Sequence, residues 1–210
     1  MTVIDSPIFQ SVPQCLHVSF LMQTLPATSK SIMQSMLERA MEEAGVMVQR
    51  ERGNINFGGL SPLEIRGQCA MVRGAVEHHL PKPEADVVLA RYVPAPTLDR
   101  VGRPELMPIP IQVIKANAIR AVRDYCQPML TTQGDIPTLA MAWSLFGSKA
   151  HKDDFSTRKI AADCKLSQST VTRDVSTIKR LARVLETRAV ERLTPIFMIS
   201  GLVGDWDFEG

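Results

Sequence analysis

The chain has 210 residues, 45% of them hydrophobic and 22% charged, with a net charge of +2. This balance excludes a disordered polymer and a uniformly basic coat for nucleic acid, and it suffices for one large or two small domains with real cores. The four cysteines (Cys15, Cys69, Cys126, Cys164) form no C-x-x-C pair, which argues against a zinc ribbon or redox motif and predicts reduced, mostly buried thiols.

Taken in chain order, the first apolar segment carries Pro7, Pro13 and Pro26, and a short helix is expected over Pro13–Thr24. Ser29–Gln49 reads as an amphipathic helix: Ile32, Met36, Leu37, Ala40, Met41 and Ala44 recur at helical spacing, with Glu38, Arg39, Glu42 and Glu43 opposite. The methionines of this region (Met22, Met33, Met36, Met41, Met47) are read as core rather than as an adaptable partner surface. Arg50–Leu60 is turn-rich. Ser61-Pro62-Leu63-Glu64 then has the form of a helix start: a capping serine, proline in the first turn, and glutamate three residues after the serine. The predicted helix Pro62–His79 buries Ile65, Cys69, Met71 or Val72, and Val76, and Pro81 stops it. Cys69 has no placed base and reads as core, and His78-His79 reads as a structural complement to the helix end.

Pro83–Tyr92 is expected to be helical, with Val87, Val88, Leu89 and Tyr92 inward. Five prolines between Pro94 and Pro110 mark a loop and the best internal boundary. Helices are predicted at Ile111–Cys126, with Ile111, Ile114, Ala118 and Val122 inward, and at Ile136–Leu145, with Leu139, Ala140 and Trp143 inward. Gly147–Asp154 reads as a polar connector. The resulting division is an N-terminal helical region (1–93), a proline-rich linker (94–110) and a C-terminal helical domain (111–210). No strand, repeat or low-complexity tract is predicted, so the expected class is all-α.

Phe155–Ser176, FSTRKIAADCKLSQSTVTRDVS, has the layout of a helix-turn-helix. A helix over Thr157–Cys164 carries Ala161, small enough for a close helix crossing. Lys165 and Leu166 form the turn, where glycine is usual and lysine incurs strain. Ser167 is placed as N-cap of the second helix, and Ile160, Leu166, Val171 and Val175 lock the pair. The second helix holds no acid before Asp174. Val171, Val175, Ile178, Ala182, Leu185 and Ala189 continue it in a near-heptad seam, so one helix of about two dozen residues is expected up to Pro195. Two alanines among six seam residues favour packing within the chain over a coiled coil with a second copy. From His151 to Pro195 there are ten basic against six acidic residues, whereas the remainder carries a net charge of −2.

These features predict a binder of double-stranded DNA. Ser167 opens the reading helix; Gln168, Ser169, Thr172 and Arg173 are the expected base readers, with Ser176 at the groove edge. Thr157, Arg158, Lys159, Lys179 and Arg180 are expected on phosphates. No metal or cofactor site is expected: H-x-x-x-H, G-x-S-x-G, phosphate-loop and D-x-D patterns are missing, and the protein reads as a non-enzyme. Few aromatic residues argue against a single-strand or RNA reader. No apolar run approaches the roughly 18 residues of a membrane span, and no secretory signal is read in MTVIDSPIF, so a cytoplasmic protein is expected. Oligomeric state is left open between monomer and dimer.

The block LSPLEIRGQCAMVRGAVEHHLPKPEADVVLARY, followed by an Ala/Leu-rich helix and IAADCKLSQSTVTRDVSTIKRLARVLETRAVERL, resembles a group of phage and prophage late-gene regulators. They carry a helix-turn-helix like region 4 of sigma factors, and Q-type antitermination proteins are among them. The resemblance covers roughly residues 60–195 and is one of helix order rather than of a diagnostic motif. The sequence lacks the cysteine-pair zinc finger of the lambda branch, so a zinc-free type is implied. The resemblance further implies a DNA site near a late promoter, bacterial RNA polymerase as partner, and the cytoplasm of a bacterial host. The alternatives are a DNA-packaging protein of small-terminase kind, a replication DNA-binding protein, and an interaction protein with a vestigial helix-turn-helix.

Overall fold

The computed structural model describes residues 7–25, 55, 57, 59–95 and 109–204, and among them it contains eight α-helices and one short 3-10 turn. The class is all-α; within these residues the one β-type contact is an isolated bridge between Phe9 and Val203. The helix expected over Ser29–Gln49, with the methionines beyond Met22, lies outside the described residues, as do most of Arg50–Leu60 and most of the proline-rich stretch. The chain divides into two units, Met1–Leu80 with Val190–Gly210, and Pro81–Ala189.

In the first unit, α1 spans Val12–Leu21, capped by Ser11, whose hydroxyl accepts from the Gln14 amide. α2 spans Pro62–His79 as predicted. Its capping box is complete: Ser61 Oγ accepts from Glu64 N at 3.3 Å, and Glu64 Oε2 accepts from Ser61 N at 2.7 Å. Ile65, Cys69, Val72 and Val76 face inward, and Met71 is exposed, which decides the Met71-or-Val72 alternative for valine. Two arginines of α2 finish α1: Arg66 donates to the Met22 and Leu25 carbonyls, and Arg73 donates to Ser19 O at 2.6 Å. Ser19 O is one of the last-turn carbonyls that a helix leaves without partners, Met22 O belongs to the C-cap, and Leu25 O to the segment that follows. Burial pushes the thiols of Cys15 and Cys69 up, consistent with core packing rather than nucleophilic chemistry.

The second unit holds α3 (Lys82–Tyr92), α4 (Ile109–Cys126), the 3-10 turn Gln127–Met129, α5 (Asp135–Phe146), α6 (Lys149–Asp154), α7 (Thr157–Asp163) and most of α8 (Gln168–Ile199). Residues 109 and 110, assigned to the linker from sequence, are the first of α4. One core runs through Val87, Ile119, Val122, Met141, Ile160, Val171 and Ile178. The seam of α8 packs into it, so the intramolecular expectation holds: Ala182 and Leu185 are buried there, and Val175 is partly buried against it.

Three expectations are corrected. Ile114 is 39% exposed, whereas its neighbour Lys115 is 2% exposed. Lys115 fits inside because its ammonium donates to Ala90 O and to Val93 O at 2.8 Å, satisfying the last carbonyls of α3. Gly147–Asp154 is not a plain connector, since it contains α6. There His151 stacks on Trp143 with ring centroids 4.9 Å apart and takes a 2.6 Å hydrogen bond with Ser148 Oγ. Finally, α8 does not stop at Pro195. Its 32 residues pass through that proline and end at Ile199, with Gly201 in the left-handed region two residues beyond. Pro195 forfeits one backbone bond, and the helix survives because Leu193 and Phe197 on either side are buried.

Candidate nucleic-acid interface

The helix-turn-helix is built by two caps back to back. Ser156 opens α7, its hydroxyl accepting from Lys159 N at 3.4 Å. The helix closes with Leu166 N donating to Ala161 O at 2.9 Å and Lys165 N donating to Ala162 O at 3.3 Å. That pair of bonds defines a Schellman motif, which places one residue in the left-handed region. The residue is Lys165, with φ 54°, the strained turn lysine expected from sequence. Ser167 then caps α8, its hydroxyl accepting from Thr170 N at 3.1 Å. Ile160, Ala161 and Val171 are buried in one cluster, with Leu166 and Val175 packed against it. Phe155, just before the motif, continues the His151 stack at 6.4 Å.

The base and phosphate contacts predicted on the second helix come together on one face. Gln168, Ser169, Thr172, Arg173, Ser176, Lys179 and Arg180 are all exposed. At about 100° per residue they span a sector of roughly 140°. Ser167 is exposed at the start of this face. Arg158 and Lys159 of α7 are exposed and Thr157 is half-buried. Lys159 also lies 3.3 Å from Asp154, an exposed pair of small energetic weight.

Several hydroxyls on this face are already oriented. Thr172 Oγ1 donates to Gln168 O at 2.9 Å and Ser176 Oγ donates to Thr172 O at 2.8 Å. Their protons are engaged, so they present lone pairs outward and would accept from a ligand's amino group. Arg173, Lys179 and Arg180 supply the donors.

Asp174, noted from sequence only as the first acid of the second helix, is buried in a way not legible in the sequence. It stands on the far side of the helix, 1% exposed, and accepts from Thr131 N at 3.0 Å and Thr132 N at 2.8 Å. Burial would raise its pKa, but the bonds from Thr132 and Thr131 prevail and hold the carboxyl below its usual value. From Ser167 to Leu185 it is the one carboxylate in the sequence. The outward face of α8 over that length is therefore basic with no acid on it. The next acid, Glu186, is engaged by Arg91 at 3.2 Å and by the Tyr92 hydroxyl at 2.9 Å. Nothing in the sequence around Thr131 and Thr132 announces a carboxylate clamp.

Among the described residues there is no group of three or more side chains able to hold a metal ion, and no helix is long and apolar enough to cross a membrane. No protein-family model matches the sequence, and no curated protein matches it.

Proposed function

We propose that residues 157–180 form a sequence-specific reader of duplex DNA and that the chain is a transcription regulator of phage or prophage kind. The observation that supports this most is the acid-free basic face of α8, which follows from Asp174 being turned into the body. Gln168, Ser169, Thr172 and Arg173 read base edges from the first two turns of α8, with Ser176 at the groove edge. Thr157, Arg158, Lys159, Lys179 and Arg180 hold phosphates. Four of those five are cations, so the logarithm of affinity should fall with the logarithm of salt with a slope of roughly −3 to −4.

The test begins with selection of a cognate site from random duplexes, followed by titration of the wild type and Arg173→Ala. The variant should lose about 1–3 kcal/mol on the selected site and little on random sequence. Equal binding of both proteins to the selected site refutes the assignment, and no salt-dependent binding to any duplex refutes the function. The narrower role, late-gene antitermination with bacterial RNA polymerase as partner, rests on the family resemblance. It predicts that polymerase subunits are recovered with the tagged chain from host cells.

A further inference from the structure

A second concentration of positive charge lies in the Pro81–Ala189 unit. A cavity of about 210 Å³ is lined by Arg91 of α3, Ser144 and Phe146 of α5, Lys152 of α6 and Lys179 of α8, among others. Three cations from three helices converge on it, and no carboxylate lines it. Among the described residues neither Lys152 nor Lys179 has a carboxylate in ion-pair range. Arg91 pairs at 3.2 Å with Glu186, which does not line the cavity, and its guanidinium sits over the Phe146 ring, 5.6 Å from the centroid. Such bracing fixes the direction of its donors. Ser144 gives its proton to Met141 O at 2.6 Å, so the cations carry the positive character of the cavity.

Lys115 reports the same local field. Burial first, then the charges of Arg91 and Lys152, bring its pKa down to about 7. Converging like charges are unfavourable unless a counter-charge completes them. Size decides what kind: the cavity is smaller than the roughly 300–1,000 Å³ pockets that enclose drug-sized ligands. A single oxyanion with its remaining waters fits this space, and arginine and lysine are the side chains suited to phosphate oxygens.

We propose that this cavity is a binding site for a phosphate group, held by Arg91, Lys152 and Lys179. The group comes either from a small phosphate-bearing ligand or from a backbone phosphate of bound duplex. The site does not require the DNA reading, although Lys179 belongs to both.

The test titrates inorganic phosphate into the full chain at constant ionic strength set with chloride, following backbone amide shifts by NMR. Saturable shifts should centre on residues 91, 144–146, 152 and 179. Lys152→Gln, at an exposed side chain without an ion pair among the described residues, should weaken binding roughly fivefold, as removal of one cation about 4 Å from the anion in water-like surroundings requires. An unchanged melting temperature for the variant shows that the fold is intact. A short duplex that displaces phosphate identifies the backbone as the source, and phosphate retained alongside duplex identifies a separate small ligand; both support the site. Absence of saturable shifts, or binding unchanged in both Lys152→Gln and Arg91→Gln, overturns it. Duplex binding that depends on Arg173 in the same samples would show the DNA reading standing while the cavity fails, and the converse is equally readable.

Discussion

Replacing Lys115 by methionine removes a titrating group from the inside of the second unit while keeping the length of the side chain. Lys115 is 2% exposed and its pKa is lowered to about 7, chiefly by burial. In the unfolded chain the same amine titrates near 10.4. Between those values the unfolded chain holds a proton that the folded chain has released, so stability rises with pH across the window. The slope approaches about 1.4 kcal/mol per pH unit, and from pH 7 to pH 8 the gain comes to about 1 kcal/mol because titration begins at half occupancy. The other buried groups with shifted pKa values nearby act outside this interval. His151 is held below its ordinary 6.5, mainly by burial, so its contribution ends at lower pH. The buried thiols are pushed up from 9.0, Cys126 to about 11, and act with opposite sign at higher pH. Urea unfolding of wild type and Lys115→Met at about pH 7 and pH 8 measures the difference directly. The wild type should gain about 1 kcal/mol over the interval and the variant close to nothing. Equal slopes in the two proteins, or a wild type that weakens towards pH 8, would refute the reasoning.

Three further outcomes follow from the geometry of the second unit. Asp174→Ala strips the Thr131 and Thr132 amides of a charged acceptor and should destabilise by about 3 kcal/mol in urea unfolding. Because its pKa lies below 3.8, the stabilisation from this carboxylate is complete above that value and fades as pH falls through the lower folded one. Lys165→Gly removes a side chain from a left-handed position and should raise stability by about 0.5–1 kcal/mol, since the relief exceeds the glycine entropy penalty; a lowered urea midpoint would contradict the cap geometry. Gly147→Ala would place a Cβ 2.5 Å from His151 Cβ and 2.7 Å from Trp143 O, neither of them a flexible end, and should cost about 1–3 kcal/mol by thermal unfolding.

The helices that could be read from sequence were those whose ends carry their own chemistry. Ser61 with Glu64 located α2 to the residue, and Ser167 located the start of α8, because capping is a local interaction between near neighbours. Apolar spacing found the core face of α8 for the same reason. What escaped was decided by partners distant in sequence. Ile114 and Lys115 are adjacent, and only the carbonyls of Ala90 and Val93 explain why the charged residue is the buried one. Nothing marked Asp174 as buried because its partners lie 42 and 43 residues earlier. Pro195 looked like a stop because a broken backbone bond is visible in sequence, whereas burial of Leu193 and Phe197 is not. Arg91 and Lys152 entered the cavity unannounced, since convergence of three helices leaves no mark in any one of them.

The clamp on Asp174 also limits how the motif can be borrowed. A fragment cut at Phe155 and Ser176 keeps both helices and the turn but leaves the Thr131 and Thr132 amides behind. Its carboxylate would then either face solvent from a helix without a body or go into a new scaffold's interior with no donor, which costs several kcal/mol. A chimera built to carry this face elsewhere must begin upstream of Thr131 and bring along the segment between them. The reading face is thus not a cassette but the exposed side of a larger folded piece, and its portability ends where that loop begins.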